Sequence, residues 1–134
     1  MKILLDTNVV LDLLLEREPH LSAVERIFTL IEEEAHQGFL CATTITTLDY
    51  LLTRNLSRKE SRQTLSRLLR LFEVAPVNGT VIDRALSSPM TDFEDAVIDQ
   101  SAVLCGAKAI ITRNGKDFLK SITPTFDPQK FLNQ

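Results

Sequence analysis

The N-terminal segment Lys2-Ile3-Leu4-Leu5-Asp6-Thr7-Asn8-Val9-Val10 sets a carboxylate and two short polar side chains directly after an apolar run. Ile3, Leu4 and Leu5 show no polar alternation, the pattern of a strand buried on both faces in a parallel sheet covered by helices. Asp6 then falls at the carboxyl end of that strand. In open α/β sheets this edge binds ligands, because helices start there and the connecting loops open a crevice. Two readings of Asp6 stand at this point: N-cap of a helix beginning near Asn8, or member of a site that gathers other acids.

Downstream, the same alternation of short apolar runs and helical patterns recurs. Val9 to Leu15 is helical in composition, and Pro19 disfavours helix at Glu18 and marks a turn. Ser22-x-x-Glu25 has the form of a capping box opening a helix with apolar Val24, Ile27, Phe28 and Ile31, which Gly38 is expected to stop. Phe39 to Thr43 reads as a second strand, Thr44 to Leu52 as helix, and Ser57-x-x-Glu60 as a second capping box whose helix runs to about Leu71. Around that helix Leu65, Leu68, Leu69 and Leu71 share one half of the circumference, and Arg58, Lys59, Arg62, Arg67 and Arg70 the other. A third strand is expected over Phe72 to Val77, a turn at Asn78-Gly79, and a short helix from Thr80 to Leu86. A long helix then runs from Asp92 to Cys105, ended by Gly106, followed by a fourth strand at Ala109 to Thr112 and a turn at Arg113-Asn114-Gly115. Asp127-Pro128 opens a final short helix.

At 134 residues and 44% hydrophobic, the chain has the length and core material of one globular domain, residues 1–134. No run approaches the roughly 20 apolar residues of a membrane span. Asp6 and Asp12 interrupt the N-terminal run where a secretory signal needs an unbroken apolar core, so a cytoplasmic protein with no membrane partner is expected. Cys41 and Cys105 are far apart among apolar neighbours and read as buried thiols. The net charge of -3, from 18 acids against 15 lysines and arginines, gives no global sign of a nucleic-acid binder. Its distribution does. From Arg54 to Arg70 six basic residues face only Glu60, a local +5.

Asp92, Asp95 and Asp99, at i, i+3 and i+7, project within an arc of roughly 60° on one helix face. Glu94 points the other way. Exposed like charges at this spacing cost about 0.2–0.5 kcal/mol per pair, and more as the local dielectric falls. A hard divalent cation would offset that: Mg²⁺ or Mn²⁺ takes carboxylate oxygens and waters from a few acids on separate elements. The competing reading makes Asp92 an N-cap and Asp95 a first-turn acid favoured by the helix dipole, with Asp99 paired to a cation.

Leu4-Leu5-Asp6-Thr7-Asn8-Val9-Val10-Leu11-Asp12, Asp92-Phe93-Glu94-Asp95-Ala96 and Ile111-Thr112-Arg113-Asn114-x-x-Asp117-Phe118 together resemble a PIN-domain protein in order, spacing and length. The resemblance covers essentially the whole chain and is greatest to the small group that includes the VapC-type toxins of toxin–antitoxin pairs. It implies a three-layer α/β/α Rossmann-like fold with a central parallel sheet of four or five strands, and an acidic pocket that uses Mg²⁺ or Mn²⁺ to hydrolyse RNA. Carried over by position, Asp6 is the first acid, Asp95 the central helix acid and Asp92 an additional acid, with Asp99 a further candidate ligand. Asn8 and Thr112 match polar residues that support the pocket, and Asp12 lies on the first helix away from it. The resemblance also implies a small antitoxin protein as partner and a homodimer.

Two departures from the family pattern bear on activity. The family's usual glutamate after the second strand is replaced by Thr47, and Asp49, about 200° further around the helix, cannot take its place without a register change. The late acid after the fourth strand is Asn114, with Asp117 three residues on. Phosphodiester hydrolysis at this pocket would draw its ligands from Asp6, Asp95 and Asp92, with RNA held by Arg58, Arg62, Arg113 and Lys116. His20 and His36 lie outside the acidic clusters. Three functions are compatible with the residues: a toxin ribonuclease, an RNA-processing PIN nuclease outside a toxin–antitoxin pair, and a catalytically weak RNA- or partner-binding module. The RNA contacts of the basic helix face compete with a plain solvated surface.

Overall fold

The computed structural model describes residues 1–134. In chain order it contains β1 (Lys2–Leu5), α1 (Thr7–Leu14), α2 (Leu21–Glu32), β2 (Gln37–Cys41), α3 (Ala42–Leu52), α4 (Arg58–Leu71), β3 (Glu73–Ala75), α5 (Gly79–Leu86), α6 (Phe93–Cys105), β4 (Ala109–Ile111), a 3₁₀ turn (Gly115–Phe118), β5 (Thr125–Phe126) and α7 (Pro128–Leu132). The five strands form one wholly parallel sheet in the order β3-β2-β1-β4-β5. The chain therefore builds outward from β1 to β3, then crosses back to start the other half at β4. That reversal opens a crevice between the carboxyl ends of β1 and β4.

Both faces of the central strands β1, β2 and β4 are dry, which is why these strands read as apolar runs. Ile3, Leu5, Leu40, Ala109 and Ile111 face a layer in which residues of α1, α2, α3, α4 and α7 pack. Leu4, Phe39, Cys41, Ala75 and Ile110 face the opposite layer, formed by α5 and α6. Each wholly buried leucine or isoleucine among them contributes about 1.5–3 kcal/mol. No helix is long and apolar enough to cross a membrane.

Local signals set several boundaries as expected. Ser57 and Glu60 form a reciprocal capping box at α4, Asp92 caps α6 through the Asp95 amide, and Asp127 caps α7 with Pro128 at its start. Gly106 ends α6 in the left-handed region, φ 80°, where a Cβ is disfavoured.

Other local expectations fail for tertiary reasons. The Ser22-Glu25 box does not form, because α2 starts two residues earlier than that cap requires, at Leu21, and His20 stands at its cap without a side-chain bond. Gly38 does not end α2, which closes at Glu32; it lies inside β2, where a Cβ would come within 2.7 Å of the Phe72 ring. Leu69 is 43% exposed rather than packed. Cys105 is only half-buried, unlike Cys41. The two-residue β5 and the 3₁₀ turn are too short to leave a periodic signature.

Candidate active site

Asp6 leaves the end of β1 with its amide bonded to the Ile111 carbonyl at 2.9 Å, so it extends the sheet by one residue at the crevice. One carboxylate oxygen accepts from the Thr7 amide at 2.8 Å, capping α1, and the other accepts from the Thr112 hydroxyl at 2.8 Å. The cap reading and the site reading of Asp6 therefore describe the same side chain. Thr112 is itself fixed, since its hydroxyl oxygen accepts from the Asn114 amide at 3.0 Å. These bonds stabilise the charged form of Asp6, but burial outweighs them and raises its pKa above the ordinary range.

Asp95 sits in the first turn of α6, half-buried and with no hydrogen bond to its side chain. Its pKa is pushed up to about 7, first by burial and then by the neighbouring charges of Asp92, Asp6, Asp117 and Glu94. The last of these belongs to a residue expected to point away. Asp117, expected only as a supporting residue, acts electrostatically on both Asp6 and Asp95. The 3₁₀ turn brings it there, anchored by its amide to the Asn114 carbonyl at 2.8 Å. Carboxylates from three places, the end of β1, the start of α6 and the 3₁₀ turn, thus gather near the switch point of the sheet.

Asp99 does not join them. It is 1% exposed, and its two oxygens accept from the amides of Ile122 and Thr123 at 2.9 and 3.0 Å. The same helix face that carries Asp92 and Asp95 outward carries Asp99 into the turn before β5, where it serves two backbone donors, that of Thr123 buried. Arg113 stands near enough to Asp6 for its charge to act on it, but its hydrogen bonds go to another acid. Its guanidinium donates to both oxygens of Asp12, at 2.6 and 3.1 Å, and Asp12 is wholly buried on α1 with Arg17 at 3.8 Å. A residue expected to hold RNA thus also neutralises a buried acid.

Lys116 is exposed on the 3₁₀ turn, and Arg58 and Arg62 are exposed on α4. Thr47 donates its hydroxyl to the Thr43 carbonyl of its own helix, one turn from the Thr44–Thr7 hydroxyl contact at 3.1 Å. Asp49 accepts from Ser61 at 2.7 Å, tying α3 to α4, so it is unavailable as a substitute for the missing glutamate. Asn114 contributes through its backbone.

Three observations test the fit of these residues to a cation. The donors are all oxygens, the set that suits Mg²⁺ or Mn²⁺ rather than a thiol- or imidazole-seeking metal. The Asn8 side-chain oxygen, two residues after Asp6, is buried with no hydrogen-bond partner. Asp95, with a pKa near 7, carries a repulsion that a positive ion would relieve. No three acids close around one point at ligating distance, but Asp92 and Asp117 are exposed and have room to turn. The donor set fits a hard divalent cation.

The sequence matches the family model described as a PIN domain over residues 2–116. Comparison with curated proteins returns no match. Among solved structures, the chain is similar to a toxin–antitoxin complex from Klebsiella pneumoniae, with a TM-score of 0.72, 23% identity, and coverage of 94% of this chain and 97% of that one. It is similar to FitAcB from Neisseria gonorrhoeae, with a TM-score of 0.71, 23% identity, and coverage of 95% and 98%. A third is the Sarcin-Ricin loop cleaving toxin VapC20 of Mycobacterium tuberculosis, at 0.66, 16% identity, and coverage of 86% and 92%. At these identities the likeness is one of fold.

Proposed function

The chain belongs to the PIN-domain family, and from that premise we propose that it is a Mg²⁺- or Mn²⁺-dependent endoribonuclease, the toxin of a toxin–antitoxin pair. The observation that carries the proposal is Asp95, whose pKa is driven to about 7 by burial and by Asp92, Asp6 and Asp117. A fold has little reason to collect unpaired acids at its ligand-binding edge unless a cation or a proton transfer uses them. The toxin assignment draws on the neighbours, which include toxin–antitoxin complexes and a toxin that cleaves the Sarcin-Ricin loop.

Asp6, Asp95 and Asp117 would hold the ion, with the Asn8 oxygen as an uncharged donor. When bound, the ion supplies Lewis acidity and neutralises charge on the phosphoryl oxygens. Asp6 is oriented for this by the Thr112 hydroxyl and the Thr7 amide. Asp92 keeps one oxygen on the Asp95 amide at 2.9 Å and leaves the other, at the exposed rim, to accept the proton of an attacking water. The antitoxin would be a small protein that covers this edge, and the toxin would act as a homodimer in the cytoplasm, with residues 1–134 as one domain.

The test is cleavage of a labelled RNA pool by purified protein with Mn²⁺ and with chelator. Cleavage that needs the metal and disappears in Asp6→Ala and Asp95→Ala supports the assignment. Growth arrest on expression, relieved by a protein encoded beside it, separates a toxin from an RNA-processing PIN nuclease. A second reading, a binding module with little activity, is favoured by Thr47 and the uncharged Asn114 side chain, which leave the pocket short of two acids. RNA binding without metal-dependent cleavage would select it.

A further inference from the structure

Outside the acidic site, the most strongly charged surface is the outward half of α4. Arg58, Lys59, Arg62, Arg67 and Arg70 are all exposed there, with Gln63 and Ser66 between them and no apolar residue in the lining. The ion pairs of the molecule are both made to Asp12, so none of these five cations is paired. Glu60, the one acid on the helix, is occupied by its capping box with Ser57. The cations fall in two rows at four-residue spacing. Arg58, Arg62 and Arg70 lie on one, with Ser66 completing it, and Lys59 and Arg67 on the other, with Gln63 between. Successive members of a row are about 6 Å apart along the axis, and every side chain in both rows is a hydrogen-bond donor.

We propose that this face is a docking ridge for the backbone of single-stranded RNA, a contact separate from the acids that holds the nucleotides flanking the cleavage point. The proposal rests on the nuclease reading for the identity of the polyanion. The ridge lies on the helical layer that covers one face of the sheet, whereas α6 packs on the other. It therefore adds a second anchoring point rather than lining the acidic pocket. Charge complementarity selects a polyanion, and the lining selects nucleic acid over an acidic peptide. Protein interfaces are anchored by buried aromatic and apolar side chains, and the basic lining has none; of the five cations only Arg67 also borders the apolar groove of Leu13, Leu14, Phe28, Leu68 and Leu71. Phosphate recognition needs only cations and donors. The ridge is local to a chain of net charge -3, so the charge is concentrated there rather than spread.

The experiment measures binding of a fluorescent single-stranded RNA of about 20 nucleotides by anisotropy, in chelator, as a function of salt. The triple variant Arg62→Gln, Arg67→Gln, Arg70→Gln is expected to weaken binding about tenfold or more and to lower the slope of log affinity against log salt by about 2. The matching triple Arg→Lys variant keeps the charge and is expected to retain most of the affinity, which separates loss of docking from loss of fold. Asp95→Asn is expected to bind RNA at least as well as wild type. Unchanged affinity and slope in the glutamine triple would overturn the proposal. So would polyglutamate binding at the ridge in preference to RNA, which would assign the face to an acidic protein. Wild-type protein that binds RNA through the ridge but cleaves none with Mn²⁺ upholds the ridge and removes the nuclease reading.

Discussion

Replacing Asp95 with asparagine should abolish cleavage and, at the same time, stabilise the protein in the absence of metal. Its carboxyl is raised from the ordinary 3.8 to about 7 by burial and by Asp92, Asp6, Asp117 and Glu94. A difference of that size is worth about 4 kcal/mol at 1.36 kcal/mol per pH unit for a group shut away from water. Asp95 is only half-buried, so solvent screening reduces the figure to about 1–2 kcal/mol. The sign follows from proton counting. Between 3.8 and about 7 the folded state binds more protons at this residue than the unfolded chain, so stability falls as pH rises through that window. The penalty is absent below 3.8 and complete above 7. Thermal melts in chelator should therefore show Asp95→Asn about 3–8 °C above wild type at pH 8, with the gap shrinking toward zero as pH approaches the ordinary carboxylate value. Adding Mn²⁺ at pH 8 should raise wild type and leave Asp95→Asn unmoved. An Asp95→Asn protein no more stable than wild type at pH 8 would refute the crowded-acid reasoning. Metal-dependent cleavage that survives the substitution would refute the role given to Asp95.

Asp99→Ala should destabilise the fold by about 2–3 kcal/mol in urea unfolding, because the buried Thr123 amide and the partly buried Ile122 amide lose their charged acceptor. Mn²⁺ affinity of the folded variant should stay at the wild-type level, and a loss there would return Asp99 to the ligand set. Arg113→Met should cost about 3 kcal/mol in the same assay, since it leaves the wholly buried Asp12 with only Arg17 at 3.8 Å. RNA affinity of that variant should change by less than about twofold; a large drop with little loss of stability would show that Arg113 meets RNA after all. Thr47→Glu, one turn beyond the Thr44 contact with Thr7, should tighten Mn²⁺ binding about tenfold by calorimetry, because it adds an anionic oxygen donor. Unaltered affinity would place that helix position outside the pocket.

Much of this molecule can be read one segment at a time. Ile3 to Leu5 and Ala109 to Ile111 announce buried parallel strands by lacking alternation, and Ser57, Asp92 and Gly106 mark helix ends through bonds and dihedrals that involve only near neighbours. Those signals, with the resemblance of the three acidic blocks, were enough to specify the layers and to put Asp6 and Asp95 at the sheet's carboxyl edge. What the sequence could not decide was the partner of each charged side chain. Asp92, Asp95 and Asp99 share one helix face, but periodicity says nothing of what that face meets along its length. Its outer end lies in the field of Asp6 and Asp117; its inner end meets the amides of Ile122 and Thr123. Arg113 and Asp12 are 101 residues apart, and only the pairing of β1 with β4 brings the loop after one against the helix after the other. Local chemistry fixes elements because their energetics lie within a few residues; the site is a set of long-range contacts, and its charges are assigned by the packing of the sheet.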